Sequence, residues 1–97
     1  MGRYRRKPMD VDAWQFVPDT ELPDWMIAAA AKGLDAGGVE LGRFIPDGKG
    51  QMAPCINVST GTGIAPAVHG LWILRRVEDG ILEVWMPEMF ENVYEAA

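Results

Sequence analysis

The sequence predicts an α+β fold, a curled antiparallel meander of about six short strands packed on one helix, in a single small domain over residues 1–97. Three observations predict it. Only Trp25 to Lys32 is strongly helical by propensity. Short β-prone runs recur along the rest of the chain, each bounded by Gly, Pro or Asp. The breaks between them are mostly tight turns, which join antiparallel neighbours.

Pro8 to Val17 reads as the first strand, with Met9, Val11, Ala13 and Gln15 on one side and Asp10, Asp12, Trp14 and Phe16 on the other. Trp14 and Phe16 mark its buried side, and Pro18-Asp19-Thr20 ends it. Pro23 suits the first turn of the helix, Thr20 or Glu21 lies close to its cap, and Asp24 sits at the positive end of its dipole. Leu22, Trp25, Met26 and Ala29 share a core-facing stripe, and Gly33 stops the helix.

Asp35-Ala36-Gly37-Gly38 is a flexible connection to a strand at Val39 to Ile45. Pro46-Asp47-Gly48-Lys49-Gly50 forms a turn and not a phosphate loop, since no Gly-Lys-Ser/Thr ending or strand-to-helix context follows. A further hairpin combines Ala53 to Thr60, the turn Gly61-Thr62-Gly63, and Ile64 to Val68. Pro54 and Pro66 place their positions at edges or strand starts, because proline cannot donate to a ladder.

The C-terminal third is the clearest hairpin, Leu71 to Val77 and Ile81 to Met86 around Asp79-Gly80. A two-residue loop sets Leu74 against Trp85 and Arg76 against Glu83. A three-residue loop, Glu78-Asp79-Gly80 with Gly80 left-handed, instead pairs Val77 with Ile81, Arg75 with Glu83 and Ile73 with Trp85. The second register is favoured because it gathers Trp72, Leu74, Leu82, Val84 and Met86 on one face. Its other face carries Ile73, Arg75, Val77, Ile81, Glu83 and Trp85, half apolar with one cross-strand ion pair. A last strand, Asn92 to Glu95, is expected to return to the first.

Composition bounds the function. Ninety-seven residues at 48% hydrophobic and 24% charged suit one soluble domain with one modest core. No apolar run approaches the ~18–20 residues of a membrane span, and the N-terminus lacks a signal-peptide core, so a cytoplasmic location is expected. The net charge of −5 divides unevenly. Arg3, Arg5, Arg6 and Lys7 make a basic arm over 1–7, leaving 5 of the 9 basic residues against 14 acidic ones beyond it. That acidic body argues against nucleic-acid binding, the arm excepted. The arm is otherwise a solvated segment or one folded back on the body.

No constellation carries chemistry. Cys55 and His69 are the sole cysteine and histidine, with no third group to orient a dyad. Cys55 reads as a small core residue and His69 as a turn residue. Asp10 with Asp12, and Glu88 with Glu91, lack the neighbours that a metal or acid/base site needs. No catalytic residue, metal or cofactor is expected. Ile73, Arg75, Glu83 and Trp85 are the candidate partner-binding residues, because Trp and Arg are enriched in binding hot spots and Trp85 is the one tryptophan outside the expected core. Simple cover of that face by the helix or first strand is the alternative.

Arg3-Tyr4-Arg5-Arg6-Lys7-Pro8, Ala13-Trp14-Gln15 and the C-terminal block resemble a widespread family of small uncharacterised proteins of tailed bacteriophages and prophages. Its members open with Arg-Tyr-Arg, a basic pair and Pro. They close with a Gly-Asp-Trp-Ile-Ile-Arg-Gly-Val run and a Pro-Asp-x-Phe-Glu-x-x-Tyr-Glu ending. Gly70, Trp72, Ile73, Arg75, Val77, Pro87, Phe90, Glu91, Tyr94 and Glu95 match, and Leu22 to Trp25 looks like the family's Ile-Pro-Glu-Trp. Departures are His69-Gly70-Leu71 in place of Pro-Gly-Asp, Trp85 in place of a Cys, and a turn one residue longer. The resemblance implies phage origin and no assigned activity.

The expected function is a non-enzymatic phage accessory protein that binds a host protein and inhibits a host defence or growth function. Homodimerisation through the second hairpin face is an added expectation. The alternatives are a small-molecule binder for a nucleotide signal, using aromatics with Arg75 or Arg76, and a minor virion or assembly component.

Overall fold

A computed structural model of the chain describes residues 10–94. The elements are β1 (Val11–Gln15), α1 (Asp24–Lys32), a 3-10 turn (Leu34–Ala36), β2 (Val39–Pro46), β3 (Met52–Thr60), β4 (Gly63–Val68), β5 (Trp72–Arg76), β6 (Leu82–Trp85) and α2 (Pro87–Val93). The six strands form one mostly antiparallel sheet ordered β1-β5-β6-β3-β2, with β4 on β3. The α+β class and the mostly antiparallel sheet of six strands are as expected. The basic arm and Glu95 lie outside the described residues.

The first strand's sides are as read. Phe16 is buried, and half-buried Trp14 packs on the core beside it. Val17–Thr20 turns back with Asp19 left-handed, held by the Thr20 N–H and hydroxyl donating to the Val17 carbonyl at 3.3 and 2.6 Å. α1 buries Met26 and Ala29, with Leu22 and Trp25 packed at the margin of the same core. Val39, Ile56, Val58, Ala67, Ile73 and Leu82 complete that core. The expected flexible link after Gly33 is partly ordered as the 3-10 turn.

Two expectations are corrected. In the C-terminal hairpin, Trp72 pairs with Trp85, Ile73 with Val84, Leu74 with Glu83 and Arg75 with Leu82. Neither register read from the sequence is present, because the loop has four residues, Val77 to Gly80. The Arg76 N–H donates to Ile81 O at 3.0 Å, and the left-handed Gly80 donates its N–H to Arg76 O at 2.8 Å. Asp79 fixes this loop. Its carboxylate accepts the Ile81 N–H at 3.0 Å and grips the Arg76 guanidinium through two bonds at 3.1 and 2.7 Å. Meanwhile the Val77 N–H is drawn off to Asp10 O at 3.1 Å, alongside β1, and cannot pair with Ile81. With a side-chain period of two, the faces become Ile73, Arg75, Leu82 and Val84 on the core side, and Trp72, Leu74, Arg76, Ile81, Glu83 and Trp85 on the other.

The second correction concerns the C-terminus. Over Asn92 to Glu95 a strand was expected; Asn92 and Val93 instead close α2. Pro87 sits at its first position with Glu88 in its first turn, both favourable there. Phe90 and Tyr94, four apart, then turn to the sheet: Phe90 stacks on Trp72 at 4.2 Å between centroids, and Tyr94 meets Trp85 edge-on at 5.3 Å. α2 therefore covers the sheet's second side, where Leu74 is buried, and β1 takes β5 as its partner.

Candidate functional site

The four residues expected to share a partner-binding face are divided by the sheet. Ile73 is fully buried in the core, opposite Val84 and beside Trp14 of β1. Arg75 shares its side, where its Nε–H donates to an Asp12 carboxylate oxygen at 3.1 Å and its Nη2 makes a second bond to the same oxygen. The guanidinium also lies 5.8 Å from the centroid of the Trp25 ring. Arg75 thus ties β1, β5 and α1 together, and the expected Arg75–Glu83 pair is replaced by Arg75–Asp12 because the four-residue loop shifts β6 by one residue. Glu83 and Trp85 remain together on the opposite side.

There they join residues that the sequence did not single out as a group. β3 meets β6 only at the parallel bridge Thr60–Leu82, whereas β4 leaves the same end of β3 through the Gly61-Thr62 turn. The fork between β4 and β6 opens a cleft of about 500 Å³, with Thr60, Thr62 and Ala65 on one arm and Arg76, Glu83 and Trp85 on the other. The Thr60 hydroxyl is already spent, donating to Gly63 O at 2.6 Å. Arg76 is neutralised by Asp79, whose carboxyl is held below its ordinary pKa by the Ile81 N–H and, less strongly, by that guanidinium. Half-buried Glu83 has no hydrogen-bond or ion-pair partner among the described residues.

A second feature lies on the β2–β3 hairpin. Phe44 pairs with Pro54 and Pro46 with Met52, so these four side chains share one side. Phe44 is 62% exposed and Met52 58%, values far outside the core pattern. The side continues into an apolar groove of about 270 Å³ formed by Trp14, Phe16, Leu22, Leu41, Phe44 and Pro54. β2 is the terminal strand of the sheet order. Near its start Glu40 forms an ion pair with Arg43, 2.8 Å from its Nε, and accepts hydrogen bonds from Arg43 Nη2 at 2.9 Å and from the Asn57 amide at 3.1 Å. The Arg43 bonds first, and the Asn57 bond second, lower the Glu40 pKa. The alternation of Val39 to Ile45 signals the strand, but a register shift between Glu40 and Arg43 re-aims the side chains beyond it.

Cys55 is buried and His69 lies in the turn after β4, next to Val68, the pairing partner of Cys55. Among the described residues there is no hydrogen bond between the two, and no group of three His, Cys, Asp or Glu side chains arranged to hold a metal. No helix of the described residues is long and apolar enough to cross a membrane. Comparison with protein-family models, curated proteins and solved structures finds no match to the chain.

Proposed function

We propose that the chain is a non-enzymatic phage accessory protein that binds a host protein in the cytoplasm, inhibiting a defence or growth function, and that it docks through β2 and the Phe44 side of the β2–β3 hairpin. The observation that carries this reading is the exposed Phe44, Met52 and Pro54 surface beside the Trp14–Leu41 groove, on a strand at the end of the sheet. Phe44 and Met52 adjoin Pro54 and the groove to make one joined apolar surface, and it is such patches, not single exposed side chains, that mark interaction sites. Terminal strands accept an extended segment by main-chain pairing, while pockets take its alternate side chains. Charge adds the partner's chemistry: a body with 14 acidic residues favours an apolar segment flanked by basic ones.

The earlier candidate set no longer supports dimerisation or docking as a unit, since Ile73 is buried and Arg75 is engaged. A nucleotide-signal binder is the weaker alternative, because Asp12 and Asp79 already satisfy Arg75 and Arg76. Affinity capture from bacterial lysate with the wild type and with Phe44→Ser tests the proposal. A host protein retained by the wild type and lost with the variant is expected; equal recovery by both would overturn docking at Phe44.

A further inference from the structure

The geometry points to the β4–β6 fork as a binding site for a cationic group, a guanidinium or alkylammonium, held between the Glu83 carboxylate and the Trp85 ring. This stands apart from docking at Phe44, which lies on another hairpin, and it survives if no host protein is found.

Three observations converge. The first is space: the two strands diverge from a single bridge at Thr60–Leu82, leaving about 500 Å³, within the size range of small-ligand sites. The second is charge. Of the ionised side chains lining the cleft, Arg76 is compensated by its two bonds to Asp79, whereas Glu83 carries an uncompensated negative charge among the described residues. Ile81 and Trp85, two positions away on either side of Glu83, share its side of β6, and Leu74 lies opposite it. Glu83 is half-buried, so water screens its charge less than it would on an open surface.

The third observation is the aromatic wall. Trp85 is half-buried, steadied edge-on by Tyr94 at 5.3 Å, and lines the cleft two residues from Glu83. An indole face attracts cations through its quadrupole, and an alkylated cation lays its methylenes on the same ring. Carboxylate plus indole therefore recognises an arginine-like or lysine-like tip and rejects an anion. Thr62 and Ala65, on the opposing arm, bound the length of the group that fits.

The probe is Nα-acetyl-arginine amide, titrated into the full-length protein and followed by NMR, with Nα-acetyl-norleucine amide as the uncharged counterpart. Saturable shifts of the Trp85 indole N–H and of the Thr62 and Ala65 amides are expected with the arginine probe alone. Glu83→Gln, which keeps size and fold, should weaken binding roughly tenfold or more. Equal binding by Glu83→Gln, or equal shifts with the norleucine probe, would overturn the assignment. The same titration on a variant with Arg3, Arg5, Arg6 and Lys7 changed to Gln guards against self-occupancy. Binding by both proteins supports an external ligand; binding only by the variant would give the cleft to the chain's own arm and overturn it.

Discussion

Truncating Ile73 separates the observed hairpin from the one the sequence favours. Ile73 is fully buried, with Val84 opposite it on β6 and Trp14 on β1, in the cluster that includes Met26 and Leu82. Ile73→Ala removes the transfer free energy of the lost carbons and leaves a cavity that neighbours on two strands and a helix fill only in part. Such changes cost about 2–5 kcal/mol. A domain of this size holds roughly 5–15 kcal/mol in total, so a substantial share of the stability is at stake. Urea unfolding followed by tryptophan fluorescence should show a midpoint lower by about 1 M or more at unchanged slope. The melting temperature should fall by roughly 10 °C or more. On a solvent-facing partner surface the same truncation would change stability by no more than about 0.5 kcal/mol. A loss that small would refute the register and the placement of Ile73 in the core.

Other outcomes follow from single contacts. A Cβ on Gly38 would fall inside the van der Waals shell of the Ala29 carbonyl oxygen on α1, so Gly38→Ala should cost about 1–3 kcal/mol in thermal unfolding. Gly61→Ala, where the new carbon meets an Ile81 methyl at 3.6 Å, should stay within about 0.5 kcal/mol. The folded-state pKa of Asp79 is depressed, so its ionised form stabilises the fold above the unfolded value of about 3.9 and that contribution is lost as pH falls through the lower folded value. Stability profiles of the wild type and Asp79→Asn should therefore differ at pH 6 and converge in strong acid. Phe44→Ser should leave the unfolding free energy within about 0.5 kcal/mol of the wild type, since its side chain is mostly solvated.

The fold was legible wherever turn chemistry and burial agreed. Trp14 and Phe16 marked the inner side of β1, Met26 and Ala29 the inner side of α1, and Gly61-Thr62-Gly63 the β3–β4 turn, whose last residue opens β4. The C-terminal register was not legible, because segregation of apolar side chains decides register only when one side of a sheet faces water. Here Ile73 and Leu74, adjacent in sequence, are both fully buried, one under α1's side and one on the side that α2 covers. With both sides covered, the decision passed to Asp79 and to the claim of β1 on the Val77 N–H, both of them tertiary or loop-specific. α2 was hidden for a related reason: Phe90 and Tyr94 alternate as readily in a strand-like pattern with Asn92 as they stack at helical spacing, and Pro87 was the stronger clue. The candidate site split into two pairs, Ile73 with Arg75 on the core side and Glu83 with Trp85 on the other. Arg76 and Thr62 reach the second pair through the fork in the sheet, which no local pattern encodes.

The docking claim is tested most directly by placing the photo-cross-linking residue p-benzoylphenylalanine at position 44 and, in a separate protein, at position 27, where Ile27 is 54% exposed on α1. Expressed in bacteria and irradiated, the position-44 protein should give one discrete adduct with a host protein and the position-27 protein none. No adduct at 44, or the same adduct from both positions, would contradict the account.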